Sequence, residues 1–182
     1  MTHTQTIYNK NGIIIKKRET NNYQLAFSLE NQNIYLEKII NFTLLDVFYE
    51  LNKDIFDDYK LIIHNDNNAS AYFLFKHFMR DLGLPQKYVY INIVLESSKN
   101  LIQFKAQTIQ NEIPENLQTG VELLEVTDVT VDCLLETQHK MNYSSILTMY
   151  SKIEILDFLE KFAASVFSKI FLRIKQFIEN YK

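Results

Sequence analysis

The chain has 182 residues, 47% of them hydrophobic and 23% charged, which is material for one continuous core rather than two. A formal charge of -3 argues against nucleic acid as a partner, because phosphate binding draws its affinity from clustered Lys and Arg. The single cysteine, Cys133, has no partner for an internal disulfide, the N-terminus lacks a secretory pattern, and no apolar run reaches the roughly 18 residues of a membrane span, so the expected setting is cytoplasmic or nuclear, not secreted and without a membrane.

Residues 1–10 are polar and expected to be flexible, leaving one α+β domain over 11–182. Gly12 opens a strand-like run, Ile13-Ile14-Ile15, and after Asn21-Asn22 the alternation of Tyr23, Leu25, Phe27 and Leu29 with polar residues predicts a strand buried on one face. A third apolar piece, Ile34 to Ile40, completes an expected antiparallel opening, because connections this short permit only hairpins. From Thr43 the period changes: Leu44, Phe48, Leu51 and Ile55 predict a helix. Leu61-Ile62-Ile63 reads as a short strand, and Ala71, Leu74, Phe75, Phe78 and Leu82 as the inner face of a second helix ended by Gly83 and Pro85. Strands follow around Val89 to Leu95, Leu101 to Ile109, Val121 to Val126, Val129 to Leu135 and Tyr143 to Leu147, with a break from Pro114 to Gly120.

The C-terminal segment carries the strongest helical signal. Ser151-Lys152-Ile153-Glu154 fits a capping box, acids (Glu154, Asp157, Glu160) precede bases (Lys169, Arg173, Lys175), and Ile155, Leu159, Phe162, Val166, Ile170, Ile174 and Phe177 hold one face. About 30 residues make a rod of roughly 45 Å, longer than the roughly 40 Å diameter expected of the domain. Phe167, Phe171 and Ile178 form a second apolar stripe that one sheet does not cover. Either the two earlier helices fill that flank or a partner chain does, since an exposed apolar strip with two aromatics is a contact site.

Residues able to carry chemistry are few. Glu50, Asp54, Asp57 and Asp58 cluster at the end of the first helix and could share a hard cation, or simply form a solvated face; no metal site is assigned. Cys133, His139 and Asp132 have the types of a nucleophile, base and orienter, but Cys133 sits in the apolar row between Val131 and Leu135, where an inert thiol is expected. His3 and His77 belong to no metal-ligand spacing, and three scattered glycines make no phosphate loop, so no cofactor is implied.

Tyr59-Lys60-Leu61-Ile62-Ile63-His64-Asn65-Asp66, followed by the helical pattern ending at Gly83, resembles the strand, Asn-Asp loop and helix of the bacterial N-degron adaptor family ClpS over about 25 residues. In that family the Asn-Asp pair holds the α-amino group of a peptide, so the resemblance implies peptide binding at Asn65 and Asp66. Downstream the chain departs from it, continuing with a strand and offering no His between His77 and His139.

The expected fold is therefore α+β: an antiparallel sheet of about seven strands, two inserted helices and a long C-terminal helix packed across one face, compatible with a helix-grip or a TATA-binding-protein-like saddle. The leading functional expectation is a non-enzymatic interaction or assembly subunit that associates with itself or another protein through Phe167, Phe171 and Ile178. The alternative is a small-molecule carrier with an apolar cavity between sheet and terminal helix, where Tyr88 and Tyr90 supply polar tips. A third, an enzyme using Cys133 or the acidic cluster, has least in its favour.

Overall fold

The computed structural model describes residues 4–109, 120–150 and 155–182. The capping box Ser151 to Glu154, the Pro114 to Gly120 break apart from Gly120 itself, and His3 lie outside the described residues. In chain order the elements are β1 (Gln5–Lys10), β2 (Ile13–Glu19), β3 (Asn22–Glu30), α1 (Leu36–Ile39), α2 (Leu44–Glu50), β4 (Phe56–Asn65), β5 (Asn68–Phe75), a 3-10 turn at Arg80–Leu82, β6 (Gln86–Ser97), β7 (Leu101–Thr108), β8 (Val121–Leu123), β9 (Val126–Thr137), β10 (Lys140–Met149) and α3 (Asp157–Asn180). All ten strands belong to one sheet in the order β1-β2-β3-β10-β9-β7-β6-β5-β4, with β8 alone parallel, beside the start of β6.

The expected α+β class, large antiparallel sheet and C-terminal helix are present, but three local readings need correction. Residues 5–10 are not frayed: they form the edge strand β1, because Asn11 (φ 55°) and Gly12 (φ 75°) make the two-residue turn whose twist suits a hairpin. Residues 68–75 are a strand, not a helix. β5 is buried on both faces, with Ala69, Ala71 and Phe73 on one side and Ser70 and Tyr72 on the other, so its apolar letters run together and mask the period of two. Conversely Ile34 to Ile40 is no strand; it holds one helical turn, α1, which places Leu36 and Ile40 in the core at i and i+4. Among the described residues the sheet has ten strands where about seven were expected: β1 and β5 are strands that the letters did not show, β4 extends to ten residues, and Ile34 to Ile40 drops out.

α3 is 24 residues long, roughly 36 Å, and lies against β1, β2, β3 and α2. Its Ile170 packs with Phe73 and Ile93 from one half of the sheet, and its Ile174 and Ile178 pack with Leu25 and Phe27 from the other. Strands from both halves of the sheet thus share a core with the same helix, which is the helix-grip arrangement of the two topologies expected. Asn31 fixes the far end: its Nδ2 donates to the carbonyls of Ile178 (2.6 Å) and Tyr181 (2.8 Å), satisfying acceptors left open at the helix C-terminus.

Lys169 Nζ (2.7 Å) and Arg173 Nη1 (2.5 Å) tie α3 to Asp54, after α2. Hydrogen bonds from Arg173 first, then Lys169, hold the Asp54 carboxyl well below the usual carboxylate range. Because Asp54 is half exposed, solvent screening limits the pair to about 1 kcal/mol. A lowered folded-state pKa means that this contribution is complete above the unfolded value near about pH 4 and is lost as pH falls toward the folded-state value. Asp54→Asn is accordingly expected to destabilise by about 0.5–1 kcal/mol at neutral pH, with the gap to wild type in urea unfolding narrowing as the pH drops below that of an ordinary Asp.

Candidate ligand-binding cavity

Between the curled sheet and α3 lies a cavity of about 350 Å³. Its walls follow from strand alternation: Leu25 and Phe27 of β3, Tyr143 of β10, Cys133 of β9 and Ile91 of β6 all share the parity that faces the helix. α3 closes it with Leu159, Glu160, Phe167, Phe171, Ile174 and Ile178. The lining is almost wholly apolar. At the end beneath the first turn of α3, however, Glu160 is 7% exposed, and its Oε1 accepts from Tyr23 Oη (2.5 Å) and Lys17 Nζ (2.7 Å). Tyr23 and Lys17 face each other across β3 and β2, on the inward parity. Burial, and then the Glu160 carboxylate, push the Tyr23 phenol well above its ordinary range, so it remains a donor.

The predicted site residues are distributed otherwise than expected. Phe171 stacks among Phe27, Phe48 and Tyr143, with ring centroids 6.1, 5.8 and 5.4 Å away, Ile178 is 1% exposed, and Phe167 packs with the same core. These three form the inner face of α3 in the series 160, 164, 167, 171, 174, 178, whereas Phe162 and Phe177, assigned to the inside, are exposed. The chain's own sheet and α2 therefore pack against the expected docking stripe. Asn65 and Asp66 occupy a hairpin tip between β4 and β5, where Asn65 Oδ1 accepts from the Asn67 backbone (2.9 Å). The strand–loop–helix behind the N-degron adaptor resemblance is not formed, because β5 stands where the helix was expected.

The acidic cluster disperses: Asp54 binds α3, Glu50 pairs with Lys53, Asp57 accepts from Gln86, and Asp58 accepts from the Tyr59 backbone. Cys133 and His139 are not brought together. Burial and then Asp132 push the Cys133 thiol up to about 12, while His139 lies beyond β9 with its Nδ1 against the carbonyls of Ile34 (2.8 Å) and Asn31 (3.2 Å). His77 Nε2 is 2.6 Å from the Leu84 carbonyl oxygen. Tyr88 and Tyr90 have the opposite parity to Val89 and Ile91 and do not line the cavity; Tyr23, Tyr143, Ser145 and Glu160 supply its polar groups instead. Sequence reasoning missed Glu160 by taking it for a dipole-complementing acid, although its i, i+4 spacing to Ala164 placed it on an apolar row.

No family model and no curated protein matches the sequence. Solved structures match its fold. The human StarD13 lipid transfer and protein localization domain superposes over 100% of this chain and 91% of its own at a TM-score of 0.76 and 10% identity. A STAR-related lipid transfer protein fragment from Xanthomonas axonopodis gives 0.71 at 8% identity, covering 96% of this chain and 98% of that one. The chain has the fold of the StAR-related lipid transfer domains. A truncated norcoclaurine synthase from Thalictrum flavum shares it more loosely, at 0.53 and 12% identity over 96% of this chain and 100% of that one, so the fold is found in carriers and in a synthase alike. The expectation of an assembly subunit working through Phe167, Phe171 and Ile178 is overturned by this likeness of fold, and Ile178 is buried while Phe167 and Phe171 are partly buried against the chain's own core. No helix among the described residues is long and apolar enough to cross a membrane.

Proposed function

We propose that this protein is a carrier, without catalytic activity, that encloses a small lipid-like molecule between its curled sheet and α3. The cavity carries this reading. Protein interiors ordinarily pack to crystal density with few voids larger than a water molecule, yet here about 350 Å³ remains open in the middle of the domain, within the roughly 300–1,000 Å³ range of small-molecule sites. An apolar void of that size leaves its walls without dispersion partners, and an occupant restores them. The fold supports the reading, since lipid transfer domains share it from one end of the chain to the other. So does the lining: its one thiol is held protonated, and its one carboxylate is engaged by Lys17 and Tyr23 rather than poised as a base.

Native mass spectrometry of the purified protein, before and after solvent extraction, tests the proposal. The expected result is an added small-molecule mass that extraction removes and that incubation with lipid vesicles restores. A protein that carries no added mass and takes up none from vesicles is no carrier.

A further inference from the structure

The polar corner of the cavity restricts what can be seated there. Glu160 is the only charged residue among the described residues that line the void, and it projects from the first turn of α3 on the helix's inner face. Both of its hydrogen bonds, from Lys17 and Tyr23, fall on Oε1; among the described residues none falls on Oε2. A carboxylate has about four acceptor sites, so this group retains capacity for a donor from an occupant. Its charge, by contrast, is already balanced by Lys17 at 2.7 Å. An anionic head would find no unpaired cation among the described residues of the lining, and a cationic head would leave the corner with a net positive charge; either places an uncompensated charge in an apolar cavity, which is strongly unfavourable. The opposite end offers only apolar contact, from Leu29, Met141, Ile174 and Ile178.

We infer that the cavity takes a neutral amphiphile with a hydroxyl head, its hydroxyl donating to the Glu160 carboxylate and its apolar body lying along α3 toward Ile178. The inference rests on the carrier reading and adds the chemical class and orientation of the occupant. Tyr23 and Lys17 act as positioning residues: they hold the carboxylate on its inward rotamer and set the charge balance that selects the head.

The test is displacement of the neutral dye N-phenyl-1-naphthylamine from solvent-extracted protein at pH 7. Four probes share one tail: dodecanol, dodecyl methyl ether, dodecanoate and dodecylamine. A hydrogen bond to a charged group corresponds to roughly tenfold or more in affinity, so dodecanol should outbind each of the other three by about that factor. Glu160→Gln leaves Lys17 uncompensated, and dodecanoate should then overtake dodecanol. Lys17→Met leaves Glu160 uncompensated, and dodecylamine should overtake. Circular dichroism establishes that each variant is folded, and the wild-type ranking decides the matter alone if neither is. Dodecanoate, dodecylamine or the ether binding wild type as tightly as dodecanol overturns the inference and leaves the carrier reading in place. A protein that binds neither dye nor any probe removes both.

Discussion

Ala106→Phe is expected to weaken the binding of a neutral apolar dye by roughly 100-fold or more while leaving the melting temperature of the ligand-free protein unchanged or higher. Ala106 lies on β7 between Ile93 of β6 and Val129 of β9, with its side chain on the cavity wall. A phenylalanine there projects into the space an occupant would fill. In a solid core the same insertion forces neighbours off their rotamers and costs about 1–3 kcal/mol, which in a domain of this length lowers Tm by roughly 2–4 °C per kcal/mol. Where the space is open, the new ring instead gains contacts with Phe104 and Phe171, and a strand accommodates an aromatic better than an alanine. The two readouts therefore move apart: calorimetry reports a fold as stable as before, and dye fluorescence reports a lost site. A clear fall in Tm with dye binding retained would mean that the void is not where the occupant sits.

That void explains most of what the sequence left hidden. Alternation made the principal strands legible: Tyr23 to Leu29, Val89 to Leu95 and Val129 to Leu135 lie within β3, β6 and β9, and the C-terminal helix is present but starts at Asp157, past the expected Ser151 to Glu154 cap, and has 24 residues instead of about 30. Phe27, Tyr143, Ile91 and Phe171, however, read the same whether they touch one another or face a gap, since hydrophobic letters record removal from water and not packing density. A cavity is a property of how far the sheet curls, which depends on strand number and order, and both were under-read. Asn11-Gly12 is a hairpin turn signal, but the residues before it are polar, as an edge strand's exposed side is, and so read as a flexible end. β5 lost its period to burial on both faces. The polar corner is written in the same pattern: Lys17 continues the row of Ile13 and Ile15, Tyr23 begins the row of Leu25 and Phe27, and Glu160 begins that of Ala164 and Phe167. Three polar residues at the ends of three apolar rows mark one end of the cavity.

The orientation of α3 decides the last expectation. The letters gave one inner face ending in Phe177 and a second stripe, containing Phe171, beside it; the structure buries Ile170 and Ile174 of the first together with Glu160, Ala164 and Ile178 on the Phe171 side, and leaves Phe177 37% exposed. Phe171→Ala removes a ring held among Phe27, Phe48 and Tyr143, and truncating a core phenylalanine costs about 3–5 kcal/mol. The lower part of that range is expected here, because the ring is partly buried and already borders a void on one side. Phe177→Ala gives up a partly solvated ring whose one aromatic neighbour is Tyr181 at 5.8 Å, so its cost should stay near the roughly 0.5 kcal/mol typical of surface changes. Urea unfolding with matched m-values separates the two. Equal losses would place the helix in a different rotation about its axis, turn Glu160 away from Lys17 and Tyr23, and take the polar corner out of the cavity with it.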